Sequence, residues 1–316
     1  MSNYSFAITG ANGYIGSSLA KFLTEKSYDV TGFSRSRFKD FPGKKLICKD
    51  IKKYETWLEI LKFNNVIFHL AGNTSVYTSE VNPEESLLSS LLPIEHLIRA
   101  AKELKVKPRI VFTSTATVYG VLPKLPVSEY QKPKPVTSYD IHKLFAEQLL
   151  AIASEAGIID AVSLRLSNVF GPSPISSSSN DRGILNKSVI KALENNNLNY
   201  YGHGNYLRDY VYITDVVNAL YLAGISDDFH GKVYNIGSGV GTSIKKAMQT
   251  VVKLVNKIAG KSVTLKSVPW PLEMSSIEYR HFVSQIDNFS KKTGWKPQIS
   301  FSTGLEFLIK LELNKK

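Results

Sequence analysis

The sequence predicts an α/β protein whose first half is a doubly wound parallel sheet with helices on both faces. Short apolar runs alternate with helix-like segments, a glycine-rich turn joins the first run to the first helix, and the alternation stops after residue 171. Parallel strands need long crossovers, which are right-handed and place helices on both faces of the sheet. These three observations together favour this fold class over a helical bundle or a β-sandwich.

Six short runs are predicted as strands, at residues 6–9, 29–33, 45–48, 65–72, 109–115 and 160–167. Between them, helix-like segments lie near residues 14–26, 53–62, 86–105 and 138–156. Short apolar runs separated by longer helical patterns are the signature of repeated βα units. We therefore predict that residues 1–171 form one domain of the Rossmann type.

The second half of the chain predicts a smaller mixed lobe. The polar loop 173–183 leads into a helix-like segment at 184–195, while 208–236 predicts strands and a helix that rejoin the first domain. The tail, with "VPWP" at 268–271 and "TGWKP" at 293–297, predicts an irregular structure. The smaller lobe is accordingly assigned to residues 172–207 and 237–316.

Composition narrows the classes of protein. The 316 residues are 43% hydrophobic and 21% charged, which is ordinary for a globular chain. Cys48 is the only cysteine, the first residues run directly into a strand without a leader, and no apolar run approaches the ~18 residues of a membrane span. We expect a cytoplasmic protein with no membrane partner and no metal site.

The net charge of +12 has three explanations: a nucleic-acid surface, an anionic small substrate, or a lysine-rich exterior. No dense basic block interleaved with aromatic residues occurs in the chain. We therefore predict no nucleic-acid partner.

The stretch "TGANGYIG" predicts a dinucleotide site. Its glycines, Gly10, Gly13 and Gly16, lie between the first strand and the first helix. A turn of this kind lets backbone N–H groups and the positive end of the helix approach a pyrophosphate.

The end of the second predicted strand selects the cofactor. A carboxylate there binds the ribose hydroxyl of NAD, but the chain has Ser34 and Arg35 at this place. A hydroxyl beside a guanidinium suits the extra phosphate of NADP(H), which we favour. NAD(H) stays open because Arg35 could instead stack on the adenine.

The stretch "SYDIHK" places Tyr139 and Lys143 four residues apart on one face of a predicted helix. Free tyrosine and lysine both have a pKa near ~10, and a nearby ammonium favours the phenolate. The spacing alone is weak, because Tyr130 and Lys134 repeat it in a proline-rich segment that excludes a helix interior.

Motifs along the whole chain resemble the extended short-chain dehydrogenase/reductases that act on nucleotide sugars, the group that contains UDP-glucose 4-epimerase. They are "TGANGYIG" (9–16), "KDI" (49–51), "HLAG" (69–72), "FTSTATVYG" (112–120), "YDIHK" (139–143), "LRLSNVFGP" (164–172), "RDYVYITDVVNA" (208–219), "YNIGSG" (234–239) and "TGWKP" (293–297). The resemblance implies a catalytic group of Thr115, Tyr139 and Lys143. It implies substrate contacts by Thr115, Asn168 and Arg208, with Arg280 as a weaker candidate. With the second-strand residues discussed above, the implied cofactor site comprises Gly10, Gly13, Tyr14, Ile15, Gly16, Ser34, Arg35, Asp50, Ile51, Leu70, Ala71, Gly72, Tyr139 and Lys143.

Structural alternatives exist for several of these residues. Asp50 could cap the next helix, Asn168 could cap a turn, and Arg208 could pair with a nearby aspartate on the surface. We expect His69 to be a packed core histidine and Cys48 to be a small buried side chain.

The resemblance leaves two chemistries at the sugar C4. Family dehydratases and decarboxylases carry acidic residues after the strand-end hydroxyl, where this chain has Ala116 and Thr117. The chain resembles 4-epimerases at "FTSTATVYG" and NADPH-dependent reductases at Ser34 and Arg35. Our hypothesis is NADPH-dependent reduction of a nucleotide-linked 4-keto-6-deoxyhexose, with a 4-epimerase and a non-catalytic NADP(H)-binding protein as alternatives. The family also implies a homodimer that pairs through helices 86–105 and 138–156.

Overall fold

The structure is a computed structural model that describes residues 4–37, 40–73, 75–121, 124–174, 183–272 and 276–315. Twelve strands are numbered in chain order, and all are short. They are β1 (Phe6–Thr9), β2 (Val30–Ser34), β3 (Lys45–Cys48), β4 (Val66–His69), β5 (Arg109–Thr115), β6 (Asp160–Leu166), β7 (Asn168–Phe170), β8 (Leu198–Tyr201), β9 (Leu207–Tyr212), β10 (Val233–Ile236), β11 (Gly241–Ser243) and β12 (Leu265–Val268).

Within the described residues, ten helices connect or cover these strands. They are α1 (Tyr14–Glu25), α2 (Tyr54–Phe63), α3 (Val76–Val81), α4 (Pro83–Leu104), α5 (Ser138–Glu155), α6 (Gly183–Leu193), α7 (Ile213–Ile225), α8 (Ile244–Ala259), α9 (Asp287–Thr293) and α10 (Phe301–Leu313). Single turns of 3-10 helix lie at Ala116–Tyr119 and Ser276–Tyr279.

Seven strands form the main sheet in the order β10-β6-β5-β4-β1-β2-β3, and every neighbouring pair is parallel. From β1 the chain builds outward through β2 and β3, and then crosses to β4 on the other side. A crevice therefore opens at the carboxyl ends of β1 and β4, where doubly wound sheets bind their ligands. The predicted fold class is confirmed, and the six predicted strands are present with bounds that differ by up to three residues.

The core lies in two layers, one on each face of the main sheet. Phe6, Ile8 and Phe68 point into one layer, whereas Ala7 and Ile67, which alternate with them along β1 and β4, point into the other. Side chains alternate across a strand, and both layers are covered by helices, so β1 and β4 are apolar at every position except the last, which is Thr9 in β1 and His69 in β4.

The second half of the chain builds two small sheets. One has the order β11-β9-β7, and the other pairs β12 with β8. Helix α7 packs against α1, and β10 extends the main sheet beside β6. The part of the chain between 208 and 236 therefore contributes to the main sheet through β10 and to one small sheet through β9. The exact domain boundaries stay a prediction.

The structure differs from two of the sequence-based expectations, and a third falls mainly on residues that it does not describe. The tail is less irregular than predicted, because α8 and α10 lie within it; the apolar stripe of Ala247, Met248, Val251 and Val255 identifies α8, although lysines dominate its outer face. Cys48 is exposed, because it ends β3 at the edge of the sheet, so the prediction of a buried cysteine is wrong. Of the predicted loop 173–183, residues 175–182 lie outside the described residues.

Among the described residues, no helix combines the length and apolarity that a membrane crossing requires.

Candidate active site

The glycine turn brings α1 very close to the end of β1. Gly10 has a φ of +69°, and a Cβ atom there would lie 2.8 Å from the backbone nitrogen of Ala71. A Cβ atom on Gly16 would collide with the carbonyl oxygen of Gly10. The backbone N–H of Gly13 donates to that same oxygen at 2.8 Å. Only glycine permits this approach, which leaves the first turn of the helix open toward the crevice.

A cleft of about 690 Å³ lies in front of this turn, at the carboxyl ends of the strands. Nine of the predicted cofactor residues line it: Gly10, Gly13, Ser34, Arg35, Asp50, Ile51, Leu70, Ala71 and Gly72. Tyr14, Ile15 and Gly16 do not line it, and neither do Tyr139 and Lys143. The Tyr14 hydroxyl donates to the carbonyl oxygen of Gly171 at 2.9 Å, and Ile15 packs against the core. Tyr14, Ile15 and Gly16 therefore support the glycine turn from the side away from the cleft.

Ser34 is engaged within the chain. Its hydroxyl donates to the carbonyl oxygen of Ser36 at 2.9 Å and accepts from the Asn12 side chain at 2.9 Å and from the Ser36 N–H at 3.2 Å. These contacts use the one donor and both acceptor sites of a serine hydroxyl. Arg35 is exposed at the edge of the cleft. Asn12, which sequence reasoning missed, therefore fixes the turn that presents Arg35.

Asp50 faces the cleft and also shapes the backbone beside it. Its carboxylate accepts from the N–H of Lys52 at 2.9 Å, which is a local turn and not a cap of α2. Lys52 in turn pairs with Glu85 of α4 at 2.8 Å, and both line the cleft. This ion pair joins residues 33 positions apart, so no local sequence signal could identify it.

Lys143 is buried between β5 and the cleft. Its Nζ atom donates to the carbonyl oxygen of Thr113 at 2.9 Å, and it lies 4.7 Å from the centre of the Phe112 ring. A Cβ atom built on Gly72 would lie only 3.6 Å from this Nζ atom. Burial lowers the pKa of Lys143 to about 8, while the charge of Glu147 acts in the opposite direction. The predicted catalytic lysine thus lies directly behind a glycine that lines the cleft.

Thr115 ends β5, and Tyr139 lies in the first turn of α5, one turn before Lys143. The Thr115 and Thr117 hydroxyls lie 2.8 Å apart, and Thr115 also accepts from the N–H of Thr117 at 3.2 Å. Thr137 caps α5 by accepting from the N–H of Asp140 at 3.2 Å. The three predicted catalytic residues therefore come from the end of one strand and the start of the adjacent helix.

Asp140 is a buried acid that sequence reasoning missed. Its side chain has no exposed surface, and neither carboxylate oxygen has a donor in hydrogen-bonding geometry among the described residues. Burial raises the pKa of Asp140, while the neighbouring hydroxyls of Thr117 and Thr137 and the charge of Arg280 lower it to a smaller extent. A carboxyl group is therefore present near Thr117, although it comes from α5 and not from the end of β5.

His69 is a packed core histidine, as predicted. Its Nδ1 atom lies 2.8 Å from the Thr9 hydroxyl, and burial, with a smaller effect of Lys143, lowers its pKa to about 3. The imidazole is neutral at physiological pH and carries no charge into the site.

Arg208 and Arg280 lie together at the far end of the site. Nη1 of Arg208 donates to the carbonyl oxygens of Leu207 and Arg280, and its Nη2 donates to the carbonyl oxygen of Glu278 at 2.8 Å. Arg208 is buried and does not form the surface ion pair that was its structural alternative. Burial and the charge of Arg208 lower the pKa of Arg280 to about 10, while Glu278 and Asp140 raise it. Asn168, on β7, pairs in register with Tyr210 of β9, two residues after Arg208.

These residues fit a dinucleotide. The cleft is lined by the glycine turn, where backbone approach is possible, and by Gly72, which has Lys143 behind it. The fold and the site together define a class of protein, the pyridine-nucleotide-binding proteins of the Rossmann type.

The profile of the NAD dependent epimerase/dehydratase family matches residues 6–237, and the chain belongs to this family. This confirms the resemblance noted in the sequence. The UDP-glucose 4-epimerase of Mycolicibacterium smegmatis is 27% identical over 98% of both chains. The dTDP-4-dehydro-6-deoxyglucose reductase of Escherichia coli is 24% identical over 96% of both chains.

A solved structure is similarly close. The UDP-glucuronic acid 4-epimerase of Bacillus cereus, in complex with UDP-glucuronic acid and NAD, has a TM-score of 0.82 and 25% identity. The match covers 98% of this chain and 99% of that chain. The chain is therefore an enzyme of a family that acts on nucleotide sugars with NAD(P), and its relatives include both epimerases and a reductase.

Proposed function

We propose that this enzyme transfers a hydride at C4 of a nucleotide sugar, with Tyr139 as the proton donor and acceptor. One observation carries the proposal: the Nζ atom of Lys143, one helical turn from Tyr139, lies 3.6 Å from the position of a Cβ atom on Gly72. Gly72 itself lines the cleft. The Lys143 ammonium therefore lies just behind the wall of the proposed dinucleotide site.

The chain's own groups have distinct tasks in this proposal. Thr115 holds the sugar C4 oxygen by a hydrogen bond, and Tyr139 exchanges a proton with that oxygen. The Lys143 ammonium, held by the carbonyl of Thr113, favours the phenolate form of Tyr139. A pyridine nucleotide, when bound, supplies the hydride acceptor and donor.

The buried arginines support a diphosphate-linked substrate. Arg208 is buried and Arg280 is partly exposed, and the charge of Arg208 lowers the pKa of Arg280. Glu278, whose carboxylate lies 3.5 Å from Nη2 of Arg208, offsets only part of this charge. A diphosphate would stabilise both guanidinium groups, because charged hydrogen bonds strengthen away from water.

The 4-epimerase with retained NAD is the form that we favour. The prediction of NADP(H) preference depended on a Ser34 hydroxyl that could bind phosphate beside Arg35. That hydroxyl instead forms hydrogen bonds with Asn12 and Ser36. The NADPH-dependent 4-ketoreductase is the second candidate, and the exposed Arg35 at the cleft supports it.

Cofactor release distinguishes the two forms. We expect mass spectrometry of the freshly purified protein to find NAD, and UDP-glucose or UDP-N-acetylglucosamine to yield the C4 epimer by NMR. An empty cleft, a preference for NADPH and consumption of a nucleotide-linked 4-keto-6-deoxyhexose would establish the reductase instead. Tight NADP(H) binding without turnover of either substrate class would mean that the protein binds NADP(H) without catalysis.

We also infer that two copies pair through α4 and α5. Exposed apolar side chains lie on both helices: Leu87 and Leu88 on α4, and Ile141, Phe145 and Ile152 on α5. A second copy would cover this surface. Light scattering should give the mass of a dimer, and Phe145→Asp should halve it; a monomeric unmodified protein would contradict the inference.

A further inference from the structure

A buried ion pair lies behind the proposed catalytic group. Glu147 follows Lys143 by one turn of α5, and its carboxylate accepts from Nε of Arg165 at 3.0 and 3.2 Å and from Nη2 at 2.6 Å. The two side chains are 3% and 4% exposed. A buried ion pair is a poor source of stability when compared with packed apolar side chains, so its place beside Lys143 needs another explanation.

The pair is joined to the strand that carries Thr115. The Ser114 hydroxyl donates to Oε1 of Glu147, and Ser114 immediately precedes Thr115 in β5. On the other side, the Arg165 guanidinium lies 4.8 Å from the centre of the Tyr119 ring, whose hydroxyl donates to Asn235 at 2.9 Å. One connected set of buried contacts therefore links β5, β6, β10 and α5.

Glu147 is the negative group that acts on Lys143. From β4, His69 faces the lysine as a neutral ring, and from β5 Phe112 contributes only its aromatic face. Tyr139 precedes Lys143 by one turn on α5. Arg165 approaches from β6, beyond the carboxylate that it binds. Removal of the Glu147 charge would therefore leave Arg165 as an unbalanced cation in the same buried region.

We propose that Glu147 is a positioning residue, which keeps the Lys143 ammonium protonated beside Tyr139 and cancels the charge of Arg165. The effect on turnover rests on the proposed function, whereas the effect on Lys143 does not. Glu147→Gln leaves Lys143 next to an unpaired guanidinium, so the lysine loses its proton at a lower pH. Arg165→Met leaves the carboxylate without its partner, so the lysine keeps its proton to a higher pH. The two variants therefore shift the pKa of Lys143 in opposite directions.

An NMR titration of protein with isotope-labelled lysine side chains measures this directly, without cofactor or substrate. Lys143→Arg identifies the resonance. We expect the Lys143 midpoint to fall by about one pH unit or more in Glu147→Gln and to rise in Arg165→Met. The neutral double variant should lie above Glu147→Gln. Glu155→Gln, on the exposed end of the same helix, is the matched control and should leave the midpoint unchanged.

A purely structural role makes a different prediction. It would leave the midpoint unchanged in every folded variant, or would shift it in the same direction in Glu147→Gln and Arg165→Met, and either result overturns the proposal. If a single variant does not fold, the double variant, which has no unpaired buried charge, supplies the comparison with the unmodified protein: its midpoint should be lower, and an equal one overturns the proposal.

Kinetics then separates this inference from the proposed function. In an active enzyme, the loss of kcat/KM at high pH should move to lower pH in Glu147→Gln, together with the Lys143 midpoint. A midpoint that shifts in a protein with no nucleotide-sugar turnover would reject the proposed function and retain the ion-pair effect.

Discussion

Two regions of the site are built in different ways. At the proposed catalytic end, Thr115, Tyr139 and Lys143 come from one strand end and the adjacent helix, and the buried Glu147 behind them pairs with Arg165. At the proposed substrate end, Arg208 and Arg280 come from segments 72 residues apart, and the charge of the buried Arg208 opposes that of the partly exposed Arg280. We therefore expect the first region to keep its geometry without a ligand and the second to gain stability from a bound anion.

This difference predicts different consequences of mutation. Changes at the catalytic end should alter the rate with little effect on binding, because the geometry there is already formed. Changes at the substrate end should alter the affinity for the substrate, because a bound anion supplies the negative charge that balances the two arginines. The predictions below test this division.

The largest effect is expected at Tyr139. Tyr139→Phe removes the hydroxyl and preserves the ring, so turnover should fall by at least about a hundredfold, the usual scale for one acid–base group. Cofactor titration should show unchanged binding. Near-normal turnover would remove Tyr139 from the proposed role and leave the catalytic end without a proton donor.

A smaller effect is expected at the arginines, and the two should differ. Arg280→Ala should weaken nucleotide-sugar binding by about tenfold or more, the scale of a hydrogen bond between charged groups, with little loss of thermal stability. Arg208→Ala should weaken binding and also lower the melting temperature, because the carbonyl groups of Glu278 and Arg280 lose their donor. Affinity is measured by calorimetry.

Lys253→Ala, an exposed cation on α8, is the control for a general loss of positive charge. Equal affinity in the Arg280→Ala variant and the unmodified protein would mean that the substrate end binds no diphosphate. Unchanged stability of Arg208→Ala would show that its contacts with the backbone are dispensable.

The residues of the proposed catalytic end could be selected from the sequence because their signals are local. The glycine turn and the Tyr139–Lys143 spacing depend on neighbouring residues, and a strand or a helix follows directly from the pattern. The partners were not predictable. Glu147 binds Arg165 across two elements, and Asn12 reaches Ser34 from another turn, so these contacts exist only once the fold is formed.

At the substrate end, Arg208 could be selected as a candidate but its burial could not be foreseen. The backbone of 278–280 folds over it, and nothing in the sequence near "RDYVY" indicates that segment. Asp140 shows the same limit, because a charged residue next to Tyr139 gave no sign that its carboxyl group would be fully buried.

Cofactor choice tests the edge of the cleft, where Arg35 is exposed. Arg35→Asp should shift the ratio of NADPH to NADH affinity toward NADH by about tenfold, because a carboxylate repels the extra phosphate and can bind a ribose hydroxyl. Arg37→Asp makes the same charge change two residues away and should shift the ratio much less. Equal shifts in both variants would indicate a general effect of charge and no direct contact by Arg35.

The smallest effect is expected at Asp140, and its sign is specific. Burial raises the pKa of this carboxyl above the ordinary 3.8, so the charged form is less favourable in the folded protein than in the unfolded chain. The stability that the protonated form contributes is present below that ordinary pKa and is lost as the pH rises through the raised value. Asp140→Asn should therefore raise the melting temperature at neutral pH by about 2–4 °C, or ~1 kcal/mol, and the gain should vanish in acid.

Thermal melts across this pH range check the sign, with Asp228→Asn, an exposed aspartate, as the control. A lower melting temperature at neutral pH would mean that attraction between Asp140 and Arg280 outweighs the cost of burial. Asp140 would then belong with the arginines, and the boundary between the two regions would run through the first turn of α5. A gain that persists in acid would instead reflect packing of the amide, because protonation removes the charge in both proteins.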